Sequence, residues 1–164
     1  MASSDSSALL TLGFVLFAGC ASVAPTRSTS PTLRAEDGVE SSLATLTAAH
    51  QATVLVFWSS GCPCVRRYQE RVDALAQRYA SRDVQIVAVS SNAGEPFEQA
   101  LAVAHERGVR VPLLRDEGGE VARLVGARST PTVAVLDRSG TPRFLGWVDN
   151  EREARHAAGR RREE

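Results

Sequence analysis

Apolar positions along this chain switch between two periods, and the switches mark its elements. Thr53 to Trp58 is a continuous apolar run of strand length, the pattern of a central strand buried on both faces. From Val65 to Ala80, residues Val65, Tyr68, Val72, Leu75 and Tyr79 recur every three or four positions, which predicts a helix with one apolar stripe. Val84 to Val89 reads as a second buried strand. Pro96 to Arg107 reads as a helix with Pro96 in its first turn and Gly108 as its stop. Val111 to Leu114 predicts a short strand, Asp116 to Gly119 a turn, and Val121, Leu124 and Val125 a short helix. Thr132 to Leu136 is a strand, Asp137 to Gly140 a hairpin turn, and Arg143 to Val148 the returning strand. Val39, Leu43 and Leu46 have helix-like spacing, although a short irregular segment would fit them equally. Strands alternating with helices and closing in a hairpin argue for the α/β class, with a mixed central sheet flanked by helices.

The ends follow other patterns. Ala8 to Gly19 is apolar for twelve residues, too short to span a bilayer as a helix but suited to the core of an export signal. Residues 1–19 are therefore read as a signal peptide. Residues 20–38, rich in Ser, Thr and Pro, are read as a flexible tether. The folded domain is expected over residues 39–150. Residues 151–164, mostly Arg, Glu and Ala, are read as a charged tail without an apolar stripe.

Composition narrows the class. With 164 residues and 43% hydrophobic content, the chain supports one modest core. Its formal net charge is zero, so nothing global argues for nucleic acid or anionic lipid. All nineteen basic residues are Arg, which reads as genome composition rather than function.

The candidate chemistry lies at Cys62-Pro63-Cys64, where the first strand gives way to the long helix. Two thiols there point to redox chemistry or soft-metal binding such as Cu(I). A proline suits the first helical position, which would make Cys62 the N-cap, facing free amides at the positive end of the helix dipole. Its pKa should then fall from about 8.5 toward the 3.5–7.5 range of activated cysteines. Arg66 and Arg67 could add to the field, and Cys64, one step inside the helix, would serve as resolving thiol. His50, His105 and His156 show no ligand spacing and read as surface or capping residues.

Phe57-Trp58-Ser59-Ser60-Gly61-Cys62-Pro63-Cys64 and Ser129-Thr130-Pro131-Thr132, in this order, resemble the active-site and cis-proline loops of the thioredoxin superfamily. The segments Gly108–Leu114, Asp116–Ala122 and Phe144–Asp149 are similar to its TlpA/ResA and redoxin (AhpC/TSA-like) branch. The resemblance implies a thioredoxin-like fold with a helix inserted after the second central strand. It implies catalytic roles for Cys62, Cys64 and Pro131, substrate contacts at Thr130 and at Trp58, which core packing would explain equally, and a redox disulfide between Cys62 and Cys64. Glu95 falls where some of these proteins place a proton acceptor, and Arg66 is an electrostatic candidate. Leu16-Phe17-Ala18-Gly19-Cys20 resembles a bacterial lipoprotein signal, with Cys20 lipidated, although Phe17 stands where Leu is usual and Met1 to Ser7 lacks a positive charge.

Three departures from the family pattern stand out. One residue, not two, separates the cysteines; Val56 replaces a buried acid; and the closing helix is not apolar. The expected function is a thiol–disulfide oxidoreductase at the cell envelope, a monomer held to a bacterial membrane through Cys20. Its expected partners are protein thiols and disulfides and an upstream redox protein, without cofactor, resident metal or nucleic acid. A peroxiredoxin-like peroxidase is the alternative, with Ser59 in the family's Thr/Ser place but Leu55 in the place of its Pro. A Cu(I)-binding protein is the third.

Overall fold

The computed structural model describes residues 30–148. Strands β1 (Thr32–Arg34) and β2 (Glu40–Ser42) pair antiparallel and lead into helix α1 (Leu43–Ala48). Then come β3 (Ala52–Trp58), α2 (Pro63–Ala80), β4 (Val84–Ser90) and α3 (Phe97–Glu106). The remainder is β5 (Leu113–Arg115), a 3-10 turn at Glu117–Gly119, α4 (Glu120–Val125), β6 (Thr132–Asp137) and β7 (Pro142–Gly146). All seven strands form one mixed sheet in the order β2-β1-β5-β4-β3-β6-β7. β3 runs parallel to β4 and antiparallel to β6, and β4 runs parallel to β5. The inserted helix is α3, which follows β4.

Alternation along β3 divides the core. Leu55 and Phe57 face one layer with Val87, Val89, Val121 and Leu136, over α1 and α4. Val56 and Trp58 face the other with Val65, Val72, Phe97 and Ala100, under α2 and α3. Both faces are covered, so β3 has no polar side and reads as a continuous apolar run.

Several elements differ from the sequence reading. Strand β1 lies in residues assigned to the tether, where Leu33 is only 1% exposed. Burying one leucine contributes about 1.5–3 kcal/mol, enough to order a short strand that also has ladder partners on both sides. Val39 is exposed and belongs to no helix. α1 starts at Leu43, after Ser42, whose Oγ accepts the Thr45 amide at 3.0 Å. Pro96 is the N-cap of α3 rather than part of its first turn. β7 begins at Pro142, whose missing N–H is tolerated at the sheet edge. The predicted signal, Cys20 and the charged tail lie outside the described residues.

The β6–β7 turn is held by one carboxylate. Asp137 accepts from the Ser139 amide and hydroxyl, the Thr141 amide and the Arg143 guanidinium, at 2.6–3.0 Å. The Ser139 hydroxyl leads these contacts in lowering its pKa from 3.8 to about 2. The folded state favours the ionised form, so the stabilisation is complete above pH 3.8 and is lost as pH falls through about 2. Asp137→Asn is expected to lower the thermal midpoint at neutral pH. In paired melts the gap from wild type should close across that same acid window. A constant gap down to pH 2 would show that the carboxylate charge is not what holds the turn.

Candidate active site

β3 ends at Trp58 and delivers the loop Ser59-Ser60-Gly61 to the start of α2. Pro63 occupies the first helical position, and Cys62 is the extended N-cap, with φ −86° and ψ 113°. Cys62 and Cys64 are both half-buried free thiols. The Thr130–Pro131 peptide is cis, and the Cys62 thiol donates to the Thr130 carbonyl at 3.4 Å. Pro131 is buried directly behind it. The structure thus brings together Cys62, Cys64, Thr130 and Pro131 from two loops far apart in sequence.

Opposing effects act on the Cys62 thiol. Burial pushes its pKa up. Hydrogen bonds from the Val65 amide, the Thr130 side chain, and the Cys64 amide and thiol push it down and prevail, so it lies below its ordinary value of 9.0. The amides are those left unpaired at a helix start. Hydrogen bonds rather than Arg66 lead this effect. Arg66 is exposed on the first turn of α2 and forms no hydrogen bond with either cysteine among the described residues.

Glu95 lies just before α3, and its carboxylate is engaged with the loop that leads to the cysteines. One of its carboxylate oxygens accepts the Ser60 amide at 2.8 Å and the Ser60 hydroxyl; the other accepts the Asn92 amide group at 3.3 Å. Arg107, at the end of α3, donates to the Ser60 carbonyl at 3.0 Å. All the polar groups of Ser60 are therefore held from the α3 side, so Glu95 and Arg107 position the loop. Of the two readings of Trp58, groove wall or core, its burial fits the core. It is 2% exposed and packs in the core with Val65 and Phe97, because the inward-facing end of β3 lies beneath α2.

Two supporting residues escaped the sequence reading. Arg115 is 7% exposed and donates to the backbone carbonyls of Asn92 and Glu95, both at 3.1 Å, which fixes the loop that presents Glu95. Asp116, fully buried, accepts the amides of Val121 and Ala122 at 3.0 and 2.9 Å and the Ser91 hydroxyl at 2.8 Å. It takes up first-turn amides of α4 from outside the helix and ties it to the end of β4. Arg115 precedes and Asp116 opens a predicted turn, and their charge gave no signal that they would be buried.

Residues 23–159 match the family model described as Redoxin, which is most of the chain. The chain belongs to the Redoxin family. Over 86 residues this redoxin is 30% identical to the thiol-disulfide oxidoreductase ResA of Halalkalibacterium halodurans, covering 52% of this chain and 48% of that one. It thus spans about half the length of that curated relative. An uncharacterized conserved protein from Geobacillus kaustophilus superposes with a TM-score of 0.64 at 31% identity, covering 74% of this chain and 68% of the other. StoA from Bacillus subtilis superposes with a TM-score of 0.60 at 20% identity, covering 74% and 90%, and at that identity shares the fold. The thioredoxin-like architecture of this redoxin is thereby established, and the cysteine pair sits where its first central strand meets a helix.

Proposed function

We propose that this redoxin is a thiol–disulfide oxidoreductase in which Cys62 is the nucleophile and Cys64 the resolving thiol. The observation that carries this reading is the Cys62 thiol at the start of α2, with its pKa lowered and Cys64 and Thr130 in hydrogen-bonding contact. In reduction, the Cys62 thiolate attacks one sulfur of a substrate disulfide. A Cys62–substrate bond forms, the disulfide breaks, and the other substrate sulfur leaves as a thiolate. Cys64 then loses its proton and attacks the Cys62 sulfur, releasing the second substrate thiolate and leaving a Cys62–Cys64 disulfide. Two electrons pass to the substrate, and the same steps reversed oxidise a dithiol. An upstream thiol protein resets the couple.

The substrates of this reading are proteins, which pair in extended form with the Thr130 backbone beside the sulfur. In this reading the chain is exported and lipidated at Cys20, which anchors it to a bacterial membrane facing the periplasm or the cell exterior, where disulfides persist. Among the described residues, no helix is long and apolar enough to cross a membrane.

The test is to trap the intermediate. Cys64→Ser, incubated with a disulfide-bonded protein substrate, is expected to accumulate a mixed disulfide through Cys62, visible by mass spectrometry and released by dithiothreitol. Full peroxide consumption without any such adduct would favour the thiol-peroxidase alternative.

A further inference from the structure

A cleft of about 270 Å³ opens on the side of Thr130 away from α2, between the end of β4 and the loop before Pro131. Phe57 lines it together with the polar residues Ser91, Asn92, Arg128, Ser129 and Thr130. Thr130 also contacts the Cys62 sulfur, so the nucleophile and the cleft share a wall. Small-molecule sites run to about 300–1,000 Å³, so this cleft lies at the lower bound and has room for a substrate side chain.

Charge gives the chemistry of that side chain. The acid behind the cleft, Asp116, is fully buried and already accepts three hydrogen bonds. Glu95, beyond Asn92, is engaged with Ser60 and Asn92. Arg107, Arg115, Arg123, Arg138 and Arg143 each donate to an oxygen of this chain. Arg128 is exposed on the rim and has no such acceptor among the described residues. The rim therefore offers one uncommitted guanidinium, with the Ser129 hydroxyl beside it. A guanidinium and a carboxylate match in geometry and charge.

We propose that this cleft is a specificity subsite for an acidic side chain, Asp or Glu, flanking the target cysteine of the substrate polypeptide, with Arg128 as its charge partner. This rests on the thiol–disulfide reading above and adds a substrate class to it. A chain lying along Thr130, joined to Cys62 through its own cysteine, can set an adjacent residue into the cleft. Arg128 selects the substrate and takes no part in the electron transfer.

Two short disulfide-linked peptides, identical except for Glu or Gln beside the cysteine, test this with the full chain. Wild type is expected to reduce the Glu peptide with a kcat/KM about fivefold higher, carried by KM, as befits a half-exposed ion pair. The preference should shrink at high salt. Arg128→Gln should remove the preference while leaving the Gln peptide unchanged, and Arg128→Glu should invert it in favour of an Arg-containing peptide. Equal rates on both peptides in wild type, or an equal loss on both in Arg128→Gln, would overturn the subsite alone. Failure of wild type to reduce either peptide would overturn the oxidoreductase reading and the subsite with it.

Discussion

Cys62→Ser is expected to reduce disulfide exchange by on the order of a thousandfold or more, because in the proposed mechanism it removes the attacking atom. Cys64→Ser should keep the first step and lose only resolution, so the two variants separate the roles of two thiols that differ little in burial. The direction of the Cys62 shift makes a further claim. Alkylation of wild type by iodoacetamide should rise with pH around a midpoint below 9.0, and in Cys62→Ser that low midpoint should disappear. A folded pKa below the unfolded one stabilises the fold fully above pH 9.0 and progressively less as pH falls through the folded value. Reduced wild type should therefore gain thermal stability over Cys62→Ser at alkaline pH and lose that gain toward neutrality. If the low-pH alkylation midpoint survives in Cys62→Ser, the roles of the two cysteines must be exchanged.

Asp116→Ala should be the most damaging change to stability away from the cysteines. The carboxylate is fully buried and accepts two helix-start amides and one hydroxyl, all of which lose their partner together. An unsatisfied buried donor costs about 1–3 kcal/mol, and removing this carboxylate strips two amides and a hydroxyl of their acceptor. Against a typical domain stability of roughly 5–15 kcal/mol, that is a large fraction of the whole. Urea unfolding should show the loss as a lower midpoint. Asp116→Asn retains one acceptor of similar shape and should fall between alanine and wild type. A loss below about 1 kcal/mol in Asp116→Ala would mean that water replaces the carboxylate at no cost.

The sequence was most readable where one kind of burial lasts over many residues. β3 and β4 are covered on both faces and α2 on one, so their apolar patterns repeat long enough to specify strand, helix and strand. The Cys62-Pro63-Cys64 junction was legible for a local reason, since proline fits the first helical position and places the preceding thiol at the cap. β1 was missed because its three residues carry a single buried side chain, Leu33, among polar neighbours. Trp58 stayed ambiguous because an aromatic residue at a strand end serves a core or a groove equally well, and only the position of α2 above it decides. Arg115 and Asp116 were illegible for a deeper reason. Their burial depends on carbonyls and amides supplied by β4, α3 and α4, partners that no local pattern announces.

The hold on Ser60 has a consequence for timing. A Ser-Ser-Gly loop left to itself samples many shapes, and a nucleophile carried on it would have to be ordered again at every encounter. Glu95 and Arg107 fix that loop from the inserted helix and its lead-in, so its conformational entropy is surrendered once, when the domain folds. Cys62 therefore follows a loop whose shape is set by the fold rather than by whatever the domain meets.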